Sequence, residues 1–199
     1  ADHAEETNSP IPTEPIVFMK AISSITGPND DVIIPKNSKK SDWEVELAFI
    51  IGKTTKNVSK DEAMGFVAGY TICNDVSERE WQLEHGSQWS KGKSFDTFAP
   101  IGPWLVTKDE INDPHNLAMW LNVNGDSMQS GNTKTMIFNI PEIISYLSSF
   151  VTLHPGDVVT TGTPPGVGMG MKPKPIFLKP GDEMHLGIDG LGEQKQKVK

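Results

Sequence analysis

The chain has 199 residues, 36% of them hydrophobic, and carries a net charge of −8 from 26 acidic against 18 basic residues. Those figures describe a folded chain of one domain's size and argue against a disordered segment or a protein that tracks nucleic-acid phosphates. No strictly apolar run is longer than Leu47-Ala48-Phe49-Ile50-Ile51, far short of the roughly 18 residues a membrane-spanning helix needs.

The chain opens at Ala1-Asp2-His3 with neither a methionine nor a signal-peptide pattern, so further residues are expected upstream of Ala1. Short β-branched and aromatic runs between prolines and glycines predict strands at 16–19, 32–34, 43–52, 67–74, 102–106, 117–124, 157–161 and 183–188. Asn124-Gly125 marks a hairpin turn after Trp120-Leu121-Asn122-Val123. Ser59-Lys60-Asp61-Glu62 and Ser77-Glu78-Arg79-Glu80 read as capping boxes, each opening a short helix. A third helix is expected around Pro141, with Ile143, Ile144, Leu147 and Phe150 on one face. Between the last strands, Gly162-Thr163-Pro164-Pro165-Gly166-Val167-Gly168 lacks the Gly-Lys-Ser/Thr of a nucleotide loop and reads as a stiff turn. Its Thr163 hydroxyl and amides suit an anionic group. The pattern predicts one β-rich α+β domain over 1–199. A doubly wound nucleotide fold is excluded, because helices do not alternate with strands.

Cys73 is the only cysteine, which rules out an internal disulfide and a multi-cysteine zinc site and fits a cytoplasmic protein. Chemistry therefore has to come from carboxylates, lysines and histidines. On a strand, Glu44 and Glu46 share a face about 7 Å apart by strand rise, where they repel unless a cation lies between them. A solvated face is the plain alternative, but Ala48-Phe49-Ile50-Ile51 continues the strand as a buried one. Asp75 falls at a strand-to-helix junction, and Arg79 and Gln82 face the same way three residues apart. Arg79 is the one arginine among the 18 basic residues, a planar fork kept in a lysine-rich chain. The plain alternative makes Asp75 a turn residue and Arg79 the partner of a neighbouring glutamate. His3 and Glu6, three apart, suit a base and its orienting carboxylate, against the alternative of a frayed terminus. Lys93, beside Gly92 and ahead of Phe95, is placed near a site; the plain alternative is a surface loop, favoured more for Lys91 than for Lys93. His85, His115, His154 and His185 show no ligand spacing.

Read together, five segments in order resemble the fumarylacetoacetate hydrolase family. They are Asp2-His3-Ala4-Glu5-Glu6, Glu44-Val45-Glu46, Asn74-Asp75-Val76-Ser77-Glu78-Arg79, Gly92-Lys93-Ser94-Phe95-Asp96-Thr97-Phe98 and Thr161-Gly162-Thr163-Pro164-Pro165-Gly166-Val167-Gly168. Asp42-Trp43-Glu44-Val45-Glu46-Leu47 and the stretch from Gln88 to Phe98 most resemble one branch, that of 2,4-diketo-3-deoxy-fuconate hydrolases, relatives labelled ureidoglycolate lyase and animal domain-containing-protein-2 relatives. The resemblance implies a mixed β-sheet roll and a site in which Glu44, Glu46 and Asp75 hold Mg²⁺ or Mn²⁺. It further implies that His3 and Glu6 form the base pair, that Lys93 lies beside the metal, and that Arg79, Gln82 and Thr163 contact substrate. An all-oxygen, three-carboxylate set suits such a hard cation.

The expected activity is hydrolysis of a C–C bond in a 2,4-diketo acid, an acylpyruvate or diketo-deoxy sugar acid, to a pyruvate-type product. Decarboxylation or tautomerisation of oxaloacetate and dehydration of a 2-oxo-3-deoxy sugar acid pass through the same enolate and are the alternatives. A catalytically silent, metal-stabilised scaffold is the third. A small-molecule substrate, a homodimer, and no nucleic-acid or membrane partner complete the expectations.

Overall fold

The β-branched runs form strands whose side chains are buried on both faces near the middle of the molecule. The computed structural model describes Glu6 and residues 10–199. In chain order the strands are β1 (Ile25–Thr26), β2 (Ser41–Asp42), β3 (Val45–Ile51), β4 (Val67–Asn74), β5 (Ser77–Glu78) and β6 (Ala99–Thr107). They continue with β7 (Ala118–Val123), β8 (Asp126–Asn132), β9 (Val158–Thr160), β10 (Glu183–Ile188) and β11 (Gly192–Lys197). The helices within 10–199 are α1 (Lys60–Ala63), α2 (Arg79–Leu83), α3 (Ser90–Lys93) and α4 (Ile140–Phe150).

A five-stranded sheet runs β1-β6-β4-β3-β9, with β1 parallel to β6 and the other pairs antiparallel. A four-stranded antiparallel sheet runs β11-β10-β7-β8, and β2 pairs with β5 in a two-stranded ribbon. The architecture is a β-rich α+β fold with a curled, half-barrel mixed sheet and few short helices. Val45, Leu47, Phe49 and Ile51 of β3 join Tyr70 and Ile72 of β4, Met119 and Leu121 of β7, and Met184 and Leu186 of β10 in one buried cluster. Each such side chain contributes about 1.5–3 kcal/mol by leaving water, which fixes the strand ends that carry the polar residues.

The predicted strands at 67–74 and 183–188 match β4 and β10 residue for residue, and Asn124-Gly125 turns β7 into β8. Those at 102–106, 117–124 and 157–161 fall on β6, β7 and β9, and the remaining three need correction. Residues 43–52 are interrupted: β2 ends at Asp42, β3 begins at Val45, and Trp43-Glu44 between them leave the ladder. Residues 16–19 form no strand, and 32–34 contribute only a bridge from Val32 to Val198. β11 was not foreseen, because its buried face carries Gln194 and Gln196 instead of apolar residues.

The capping boxes also shift. Ser59 precedes α1, but its hydroxyl donates to the Glu62 carboxylate (2.6 Å) and caps no backbone amide. α2 is capped by Glu78, which accepts from Trp81 N, while the Ser77 hydroxyl donates to the Asp75 carbonyl two residues back. The reciprocal box sits instead at Asn139 and Glu142 of α4. Ile143, Ile144 and Leu147 of α4 are buried as expected; Phe150 is exposed.

Candidate functional site

Where β3 starts and β4 ends, the chain places three carboxylates together. Glu44 lies just outside the ladder, its N–H donating to the Asn74 side chain (3.2 Å) and its carbonyl accepting from Asp75 N (2.8 Å). That break turns Glu44 toward Glu46 and Asp75. One carboxylate oxygen from each of the three lies within 4.8 Å of the others. Glu44, Glu46 and Asp75 are 4%, 3% and 0% exposed, so the solvated-face alternative fails.

Cations surround this cluster unevenly. Lys93 Nζ bridges Glu44 Oε2 (2.8 Å) and Asp75 Oδ2 (2.7 Å). Arg79 reaches Glu44 Oε1 through Nη1 (2.7 Å) and Asp42 Oδ2 through Nε (2.8 Å). Lys20 Nζ binds Asp75 Oδ1 (2.6 Å). Glu46 makes no direct ion pair among the described residues; its Oε2 accepts from Gly162 N (2.9 Å). Burial, with Asp75 and Glu44 alongside, pushes the Glu46 carboxyl well above the ordinary glutamate value despite Lys93 and the Gly162 amide. Burial alone would lower Lys93, but Asp75 and Glu44 outweigh it and hold the ammonium charged. Arg79 is likewise raised, its desolvation outweighed by Asp42 and Glu44.

Four carboxylates, Asp42 included, thus face three cations, and the excess negative charge falls on Glu46. An under-compensated, all-oxygen set of three converging carboxylates fits a hard divalent cation of the Mg²⁺ or Mn²⁺ type. Lys93 belongs to α3, not to a loop. Its approach depends on Gly92, where a Cβ would lie 2.4 Å from Glu78 O and 2.5 Å from Gln82 N. Lys91, by contrast, is exposed and donates to His85 O.

Arg79 Nη1 also donates to Gln82 Oε1 (2.9 Å), so the two share the helix face that their spacing predicted. Arg79 Nη2 is buried and has no hydrogen-bond partner among the described residues. Such an orphaned donor costs about 1–3 kcal/mol unless a ligand meets it. The Thr163 hydroxyl donates to Val45 O (2.9 Å) and accepts from Gln129 Nε2 (2.8 Å). The Glu6 carboxylate accepts from Gly166 N (2.9 Å). His3 lies outside the described residues.

Two site residues were missed by sequence reasoning. Asp42 accepts from Gly168 N (2.6 Å) and Met169 N (3.0 Å) as well as Arg79, tying the arginine to the 162–170 loop. The available signal was an aspartate directly before Trp43-Glu44. Lys20 arrives because Met19 N and Ala21 N donate to Ser90 Oγ and Ser94 Oγ around α3. No local pattern marks it among the lysines.

The fold is shared with known enzymes. The family model described as fumarylacetoacetate (FAA) hydrolase C-terminal matches residues 1–199. The chain is 63% identical, over 197 residues, to a 2,4-didehydro-3-deoxy-L-rhamnonate hydrolase of Sphingomonas sp. (strain SKA58), covering 99% of this chain and 69% of that protein. Among solved structures, a fumarylacetoacetate hydrolase from psychrophilic Exiguobacterium antarcticum superposes with a TM-score of 0.91 at 42% identity, covering 100% of this chain and 71% of that one. A 2-hydroxyhepta-2,4-diene-1,7-dioate isomerase from Mycobacterium marinum gives 0.85 at 40%, over 94% and 69%. These matches define an enzyme. The chain belongs to the fumarylacetoacetate hydrolase family.

Proposed function

We propose that this chain is a divalent-metal-dependent hydrolase that cleaves a C–C bond in a 2,4-diketo acid, of the acylpyruvate or diketo-deoxy sugar-acid kind, releasing a pyruvate-type product. The observation that carries the reading is the buried trio Glu44, Glu46 and Asp75, with Glu46 lacking a direct cation among the described residues. Those three residues would hold Mg²⁺ or Mn²⁺, which when bound supplies Lewis-acid polarisation of the substrate's 2-oxo group.

The remaining steps belong to this chain's own side chains. Arg79 presents Nη2, a buried donor in want of an acceptor, to the substrate's carboxylate, with Gln82 bracing the guanidinium. Lys93, held charged inside the cluster, offsets negative charge as it develops on the departing pyruvate-type fragment. Glu6, fixed by the Gly166 amide, orients His3, which takes the proton from the attacking water. Thr163, on the loop that carries Gly162 and Gly166, is the remaining substrate contact in this reading. The 63% identity to a diketo-deoxy sugar-acid hydrolase favours this substrate class.

An isomerase or decarboxylase outcome on the same bound 2-oxo acid is the second reading, favoured by the likeness to the M. marinum isomerase. A panel of acylpyruvates, a 2,4-diketo-3-deoxy sugar acid and oxaloacetate, each with Mg²⁺, separates the two: turnover confined to oxaloacetate overturns hydrolysis. The proposal includes a cytoplasmic homodimer. Trp104 and Leu105 on β6 and Ile25 on the edge strand β1 are exposed apolar residues that a second copy would cover. A sedimenting species of 21.8 kDa instead of twice that mass would contradict the dimer.

A further inference from the structure

We propose that Gly170 is a positioning residue for Glu6, its missing side chain being the seat of the Glu6 carboxylate. The inference rests on the reading of Glu6 given above. An ideal Cβ built on Gly170 would lie 2.4 Å from Glu6 Cδ, 2.6 Å from Cγ and 2.7 Å from Oε1, and these are its three nearest heavy atoms. Real Cβ contacts essentially never come under 3.0 Å, so any side chain at 170 and the present Glu6 rotamer exclude each other.

The geometry isolates that conflict. Gly170 ends the 3₁₀ turn Gly168–Gly170 with its N–H donating to Val167 O (3.0 Å), and its φ lies outside the left-handed region, so alanine suits its backbone. Its neighbours differ. A Cβ on Gly166 or Gly168 would meet main-chain carbonyls, Met128 O at 1.9 Å or Ile176 O at 2.0 Å, and so disturb the loop itself. At 170 the obstacle is the far end of a flexible side chain, which can swing away.

Once displaced, Glu6 loses the Gly166 N–H that holds it at 2.9 Å, and the base it orients loses its fixed direction. The same loop also fixes Glu46 through Gly162 N and Asp42 through Gly168 N. Gly170 therefore couples the carboxylate near the N-terminus to the loop that sets the acidic cluster, without touching the cluster.

The test is a double-mutant cycle of Gly170→Ala and Glu6→Ala on the full chain, read by steady-state kinetics and by thermal melts with and without Mg²⁺. Gly170→Ala is expected to lower kcat tenfold or more while KM and the Mg²⁺-induced shift in Tm stay within twofold of wild type. In the Glu6→Ala background the same substitution should change neither kcat nor Tm, since the clash has been removed. A Tm loss from Gly170→Ala that is equal in both backgrounds would show that the Cβ meets something other than Glu6 and would overturn the proposal. Wild-type turnover in Gly170→Ala beside a slow Glu6→Ala would overturn it as well. Wild-type turnover in Glu6→Ala overturns the underlying role of Glu6, and Gly170's effect on catalysis falls with it.

Discussion

Replacing Glu46 with glutamine preserves shape, removes one charge and should act in opposite directions on the metal-free and metal-bound protein. At 3% exposure the carboxylate has oxygens of Glu44 and Asp75 within 4.8 Å. With an effective dielectric of about 20, two unit charges 4.8 Å apart repel by roughly 3.5 kcal/mol. Lys93 contacts the other two carboxylates and offsets part of both repulsions. A glutamine can still accept from Gly162 N. We therefore expect Glu46→Gln to stabilise the metal-free protein by about 1–2 kcal/mol, or roughly 2–8 °C in Tm for a chain of this length. Mg²⁺ affinity should fall by about 30-fold or more, since truncating one member of a buried charge pair costs roughly 2–5 kcal/mol. Thermal melts in EDTA and across a Mg²⁺ titration measure both effects. A lower Tm in EDTA together with an undiminished Mg²⁺ response would refute the reasoning.

Three further substitutions or conditions extend the test. Arg79→Lys keeps a charge but not the fork that meets Asp42, Glu44 and Gln82 at once, so KM should rise at least about tenfold in steady-state kinetics; an unchanged KM contradicts a substrate contact at Nη2. The raised Glu46 carboxyl means that, in the metal-free protein, its contribution to stability is complete below about pH 4.5 and is lost as pH rises through the folded-state value. Mg²⁺ requires the carboxylate form, so the Tm increment it confers should grow as pH rises from 4.5 toward 8, and a pH-independent increment contradicts the assignment. Gln194→Leu deprives the Ile72, Pro100 and Gly102 carbonyls of one shared amide and should destabilise by about 2–4 kcal/mol in urea melts; a change under 1 kcal/mol would contradict that cross-brace.

The central strands were legible because β-branched and aromatic runs and turn residues agree there. Val67 to Asn74 is bounded by a glycine-containing turn and by Asn74-Asp75, and Glu183 to Ile188 by Gly181-Asp182 and Asp189-Gly190, so both ends were specified locally. β11 was illegible for the opposite reason. Gly192-Glu193-Gln194-Lys195-Gln196-Lys197 is polar throughout, and only the tertiary fold shows that the Gln194 amide buries itself against carbonyls of the other sheet and the Gln196 amide meets the Pro28 carbonyl. The run at 16–19 has strand composition, yet its backbone bonds to serine hydroxyls around α3, so propensity yielded to a side-chain contact.

At the site, Glu44, Glu46, Asp75 and Arg79 come together because each sits at or beside a strand end or short helix that the strand pattern and the capping signal already implied, whereas Lys93 rides on α3, a helix the sequence did not mark. Asp42 and Lys20 did not show in the sequence. Three of Asp42's four acceptor bonds, those from Arg79, Gly168 and Met169, and Lys20's ion pair depend on segments that fold back from elsewhere in the chain. Gly170 had no sequence signal either, since what it leaves room for lies 164 residues earlier, at Glu6.

The most direct test of the whole account is the turnover of a 2,4-diketo acid by the purified protein after exhaustive chelation and again after Mg²⁺ is restored. The account predicts that EDTA abolishes cleavage to the pyruvate-type product, that Mg²⁺ or Mn²⁺ restores it, and that Glu46→Gln is not restored at concentrations sufficient for wild type. Cleavage that continues unchanged in EDTA would contradict it.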